Sequence, residues 1–168
     1  MPKIISTEEA ERPYRKRSVR NVRLFIGESV ISKMALHGDL GFADSKEVMG
    51  FIMGTVYSDE EGDYAIAEGI ATTRLLSTDI SVRFDPESFE DLFLSMDESK
   101  GDKIVGWYHT HPGFSCYLSE TDLKTHVGMF GEGLGFSIVL DPSDETLMVF
   151  TVKDGKPEKE QMIIFEEG

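Results

Sequence analysis

Amide side chains are nearly missing from this sequence: its 168 residues hold one asparagine, Asn21, and one glutamine, Gln161. Depletion of thermolabile amides beside abundant charge is a habit of thermophilic proteins, so a thermophilic source is expected. Cysteine is as scarce. Cys116 stands alone and cannot close an internal disulfide, which fits a reducing compartment and a cytoplasmic protein. No window approaches the roughly 18 uninterrupted apolar residues of a membrane span. The opening stretch, Met1–Arg17, lacks the apolar core of a secretory signal. Basic charge is in the minority, with 17 Lys and Arg against 31 Asp and Glu and a net charge of −14. That argues against a nucleic-acid groove, because phosphate binding needs concentrated positive charge. Neither nucleic acid nor membrane is an expected partner.

What is present suits one soluble domain. The apolar fraction is 40% and the charged fraction 29%, enough to bury a real core. No repeat, low-complexity tract or long linker divides the chain. The charge is uneven: residues 1–23 carry seven Lys and Arg against three Glu, and all the rest is acidic on balance. Residues 1–17 read as a basic, solvated arm and 18–168 as the domain.

Strands and helices alternate along that domain. A strand is expected over 18–26, then a helix over about 28–40 with Val30, Ile31, Met34 and Ala35 on one face and exits at Gly38 and Gly41. The apolar run 48–57 reads as a buried strand, and the polar group Ser58 to Asp63 turns the chain into another over 64–72. Thr73–Phe84 has no clear period. Asp85 and Pro86 then open a helix whose Phe89, Leu92, Phe93 and Met96 share a face. Strands are expected at 103–109, 136–140 and 146–152, and a helix at 119–130. A last strand near 160–165 belongs at an edge because Pro157 precedes it. The fold class is therefore α/β, with a mixed sheet.

The chemistry gathers in one stretch. His109 and His111 lie two apart on a predicted strand, so both imidazoles leave the same face before Pro112 and Gly113 break it. A helix begins at Ser119-Glu120-Thr121-Asp122. Two imidazoles and a carboxylate form a common shell for catalytic zinc, and Asp122 is the nearest acid able to fold back toward the pair. Taken singly, each part has a plainer reading. A His-x-His pair can be a hydrogen-bonded strand feature, and Ser119-x-x-Asp122 an ordinary helix cap.

The whole string, His109-Thr110-His111-Pro112 followed by six residues and Ser119-Glu120-Thr121-Asp122, resembles the signature of the JAMM family of zinc metalloproteases, the MPN-plus domains. Lys46–Gly54 is similar to the first motif of that family, a glutamate just before a buried strand. Gly106–Phe114 and Cys116–Ser119 are most similar to its deubiquitinating branch found in the proteasome lid. The resemblance covers roughly residues 20–153. It implies a single MPN domain with a mixed, mostly antiparallel sheet flanked by helices. It further implies one catalytic Zn2+ held by His109, His111 and Asp122, with Glu47 as general base and acid and Ser119 steadying the oxyanion. Nothing in the composition singles out Glu47 from the other acids.

The implied activity is cleavage of an isopeptide bond behind the Gly-Gly tail of ubiquitin or a ubiquitin-like protein, with the proteasome or a related ATPase as a further partner. Thr73–Phe84 stands where relatives contact that tail. Thr78, Ile80 and Val82, with Phe114 beyond the histidines, are the expected substrate contacts, although a surface loop is an equal reading of that segment. No counterpart of the long C-terminal helices of the proteasomal subunit follows, which points to an archaeal homologue. Two other functions stay open: a peptidase trimming Gly-Gly ends of ubiquitin-like or sulfur-carrier precursors, and a non-catalytic MPN scaffold. Cys116 suits a loop position better than a ligand role, and His37 and His126 suit core or surface positions.

Overall fold

A computed structural model of the chain describes residues 3–5, 22–60, 62–72, 103–111, 113, 116–131 and 133–166. Most of the expected basic arm, the segment Thr73–Phe84 and the helix expected after Asp85-Pro86 lie outside these residues. Along the described chain run β1 (Lys3–Ile5), β2 (Leu24–Gly27), α1 (Glu28–Ala43), β3 (Met49–Asp59), β4 (Gly62–Thr72), β5 (Lys103–Thr110), α2 (Glu120–Phe130), β6 (Phe136–Asp141), β7 (Thr146–Lys153), β8 (Lys156–Glu160) and β9 (Met162–Phe165). The strands form a mixed sheet in the order β1-β9-β2-β4-β3-β5-β6-β7-β8. Its centre is antiparallel, including the longest pairing, β3 with β4, while β5 and β6 run parallel. The α/β class expected from the sequence holds.

β8 and β9 are separated by one residue, Gln161, yet stand toward opposite ends of that order. The sheet therefore has to curl until its two ends meet. An ion pair between Arg23, beside β2, and Glu160 of β8 fastens the join, and Thr151 Oγ1 donates to the same carboxylate at 3.0 Å. The C-terminal strand expected at an edge is thus two strands. Pro157 lies in β8, which is the edge, where its missing N–H costs no ladder bond; β9 lies inside, between β1 and β2.

Each helix packs on one face of the sheet. On the first face, Val30 and Met34 of α1 meet Ile52, Tyr108, Ile138 and Leu140. Ala35, expected on that face, is exposed. Gly38 and Gly41, expected to end the helix, lie inside it and are buried. A Cβ at Gly41 would stand 2.3 Å from Val48 Cγ1, and one at Gly38 3.2 Å from Thr110 Cγ2. These glycines let the helix backbone approach the two strands beside the histidines. On the opposite face, Met49, Phe51 and Trp107 pack with Met129 and Phe130 of α2. Both clusters are buried, and the strand ends that carry the histidines lie between them.

Candidate metal centre

β5 ends at Thr110, and His111 N–H continues its ladder by donating to Leu140 O at 2.8 Å. The two-residue period sends both His109 and His111 toward α2, their rings meeting edge to face at 4.8 Å between centroids. α2 begins with a capping box: Ser119 Oγ accepts from Asp122 N at 3.1 Å, and Asp122 Oδ2 accepts from Ser119 N at 3.0 Å. That cap folds the carboxylate back over the helix start, against both rings. Asp122 Oδ2 lies 3.0 Å from His109 Nε2 and 3.1 Å from His111 Nε2. Capping does not compete with a ligand role for Asp122, because the oxygen that accepts from Ser119 N is the one that faces both imidazoles.

The electrostatics follow from burial. His109 is fully buried, and loss of solvent chiefly lowers its pKa, so the ring is neutral, the form a metal requires. Burial alone would raise the Asp122 pKa, but the close contacts with His109 and His111 and the Ser119 N–H bond outweigh it and hold the carboxyl far below its ordinary range. The imidazoles nonetheless lack satisfaction. Both ring nitrogens of His109 and Nδ1 of His111 have no hydrogen-bond partner among the described residues. The 3.0 Å approach of His109 Nε2 to Asp122 brings the atoms close without the alignment of a hydrogen bond. A buried unpaired polar atom costs roughly 1–3 kcal/mol, and a cation between the three side chains would supply what the rings lack. The spacing fits. The ligand atoms of His109, His111 and Asp122 all lie within 4.8 Å of one another, and a tetrahedral zinc with bonds near 2.0–2.1 Å separates its ligands by about 3.3 Å.

Glu47 is buried at 6% exposure, two residues before β3. Met49 pairs with His109, and Thr110 N–H donates to Val48 O, so continuing this register sets residue 47 across from His111 on the same face. Ser119 Oγ accepts from Asp122 N–H, which leaves its own hydrogen for another acceptor. Thr78, Ile80, Val82 and Phe114 lie outside the described residues. Cys116 is half-buried, 3.5 Å from Thr146 Oγ1 and packed near Leu118 and Val139, in a loop position apart from the ligand cluster. Burial is the main cause of its raised thiol pKa. His37 Nδ1 lies 2.6 Å from the Tyr108 hydroxyl on the α1 face. A cavity of about 790 Å³ opens at the other end of β6 and β7, beside Gly135 and Lys153, and shares no residue with the centre.

Two neighbours of the centre add to it: Trp107, which the sequence reads as packing beside the site, and Asp141, which sequence reasoning did not single out. Trp107 stacks on His109 with centroids 4.3 Å apart and rings 12° from parallel, and its Nε1 donates to His126 Nδ1 at 3.2 Å. Asp141 Oδ1 accepts from Gly113 N at 2.9 Å and pins the loop that leaves His111. The spacing of Trp107 from His109 and of His126 from Asp122 was the available signal.

Comparison with known proteins agrees with this geometry. Residues 17–129 match the family described as JAB1/Mov34/MPN/PAD-1 ubiquitin protease. COP9 signalosome complex subunit 5 of Kluyveromyces lactis is 33% identical over 99 residues, covering 57% of this chain and 26% of that protein. The 26S proteasome non-ATPase regulatory subunit 14 of Drosophila melanogaster is 31% identical over 125 residues, covering 71% of this chain and 38% of its own. The chain thus spans about a quarter to two fifths of the length of these relatives. The solution structure of a Desulfitobacterium hafniense protein superposes with a TM-score of 0.65 at 20% identity, covering 86% of this chain and 94% of that one, a likeness of fold. With a match over most of its length, a mixed sheet between two helices and a His-His-Asp cluster at the strand ends, the chain belongs to the JAB1/Mov34/MPN/PAD-1 family, the JAMM or MPN domains.

Proposed function

We propose that this chain is a zinc-dependent isopeptidase that releases ubiquitin or a ubiquitin-like modifier from lysine conjugates. The observation that carries this reading is the buried convergence of His109, His111 and Asp122 with imidazole nitrogens left unsatisfied. A structural scaffold has no need of such a cluster. Zinc held by these three side chains would acidify a water molecule and polarise the scissile carbonyl. The Glu47 carboxylate, buried across from His111, takes the proton of the attacking water and returns it to the leaving lysine Nζ. The Ser119 hydroxyl, whose oxygen already accepts the Asp122 N–H, donates its hydrogen to the oxyanion that develops on the carbonyl.

The modifier's tail lies against Thr78, Ile80 and Val82 as an added strand and passes Phe114, held by backbone hydrogen bonds since Gly-Gly offers no side chain. The proteasome or a related ATPase is the partner that would deliver conjugates. The test is incubation of the metal-analysed protein with a panel of ubiquitin-like conjugates and linear extensions, with and without chelator. Chelator-sensitive release from a lysine conjugate is the expected result. No cleavage by protein carrying one zinc per chain would overturn the reading, and cleavage of linear extensions alone would replace it with precursor trimming.

A further inference from the structure

We propose that Trp107 and His126 act as a positioning pair that sets both the plane of the His109 imidazole and the distance between β5 and α2 across which the metal is gripped. The inference rests on the zinc reading above, and concerns residues that touch neither metal nor substrate.

The ligands come from two elements with no chain connection at the site. His109 belongs to β5 and Asp122 to α2, and their 3.0 Å contact is one rung between strand and helix. Trp107 precedes His109 by two residues on the same strand face, and His126 follows Asp122 by one helical turn. Their 3.2 Å hydrogen bond is a second rung. The spacings match. Two strand residues advance about 6.6 Å, and four helical residues about 6 Å, so a helix lying along the strand can close both rungs together. With one rung, α2 can pivot about Asp122. With two, the separation of the ligand-bearing backbones is determined.

The indole does a second thing. Its ring lies flat on His109, 4.3 Å between centroids and 12° from parallel. His109 has no hydrogen-bond partner at either nitrogen among the described residues, so none of them orients its ring through an accepted N–H. Ligating histidines are ordinarily oriented by such a bond. Here the face of Trp107 takes that part, and the His126 acceptor keeps the indole from turning. His126 is buried at 1% exposure, and because Nδ1 accepts, the ring is neutral with its hydrogen on Nε2. A buried histidine that served only to fill space would be replaced by phenylalanine without consequence for metal.

Trp107 is the only tryptophan in the chain, so its emission reports on the ring stacked against it. Four proteins decide the matter: wild type, His126→Phe, Trp107→Phe and the double variant, each titrated with zinc against a competing chelator. Loss of an outer-shell partner weakens metal binding roughly 10- to 100-fold, and that is expected for both single variants, with the double variant no weaker than the worse single because one bond is removed in each. His126→Asn, whose Oδ1 stands where Nδ1 does, should recover affinity to within about threefold of wild type. The zinc-dependent change in Trp107 emission should shrink in His126→Phe and return in His126→Asn. Wild-type zinc affinity in a folded His126→Phe, or additive losses in the double variant, would overturn the proposal. If His126→Phe does not fold, Trp107→Phe tests the same bond from the other side. Zinc bound equally by all four proteins would sink this inference alone, whereas a wild type that binds no zinc would sink the functional reading with it.

Discussion

Burial pushes the His126 pKa from its ordinary 6.5 down to about 4, and that displacement makes a prediction about acid stability. Between those two values the unfolded chain holds a proton on His126 and the native chain does not. Stability therefore rises with pH across the window and is lost as pH falls from 6.5 toward 4. The slope is about 1.4 kcal/mol per pH unit, so the accumulated loss is about 3 kcal/mol by the lower end. At 1% exposure little solvent is at hand to screen the effect. In metal-free protein, urea unfolding of wild type and His126→Phe should therefore diverge. Any offset of the variant above pH 7, from its altered contact with Trp107, is constant with pH. The readout is the difference in slope. His109, also held neutral by burial, titrates in both proteins and cancels. Parallel curves from about pH 7 to pH 4 would show that His126 accepts a proton inside the fold, and would refute the buried neutral acceptor.

Further changes separate the other roles. His109→Ala and Asp122→Ala should each lose zinc by metal analysis, and Asp122→Ala should also cost the metal-free protein about 1 kcal/mol in urea through the lost cap, a cost Asp122→Asn should spare. Glu47→Gln should keep its zinc and lower single-turnover cleavage by roughly a hundredfold or more, and a near wild-type rate would move the base elsewhere. Ser119→Asp keeps a capping oxygen without a hydroxyl donor, so it should retain stability while turnover falls roughly a hundredfold, whereas Ser119→Ala should lose both. Gly54→Ala places a Cβ 2.0 Å from Ile66 O beside the irregularity in the β3/β4 register, and should lower thermal stability by about 2–3 kcal/mol with unchanged zinc stoichiometry in the folded fraction.

The metal cluster was legible because its parts obey local rules. A two-residue period puts His109 and His111 on one face, and a cap at Ser119 turns Asp122 back toward them. Glu47 obeys no local rule: its place across from His111 is set by the register of β3 against β5, and only resemblance pointed to it. The same limit explains Gly38 and Gly41. As isolated signals they read as helix ends, and only the approach of Thr110 and Val48 shows why a side chain is excluded there while the helix continues. β8 was missed because Lys156–Glu160 has no apolar alternation; it is held to β7 by the backbone ladder and the Thr151–Glu160 side-chain bond, neither of which leaves a hydrophobic pattern. Trp107 and His126 each looked like packing, and became a pair only when α2 docked on β5.

The place of β9 has a kinetic consequence. Lys3 pairs with Ile163, and Leu24 with both Ala65 and Met162, so β2 joins β4 directly while β1 reaches the sheet through β9, a strand synthesised after every other described strand. A nascent chain emerging from the ribosome can form the β3/β4 hairpin early, but that half of the sheet keeps an open edge at β2 until residues beyond Gln161 appear. Completion therefore waits on loop closure over nearly the whole chain, the slow, high-contact-order kind of step. The final stage of folding therefore waits for β9, and the exposed edge of β2 during that wait is where a chaperone would have something to hold.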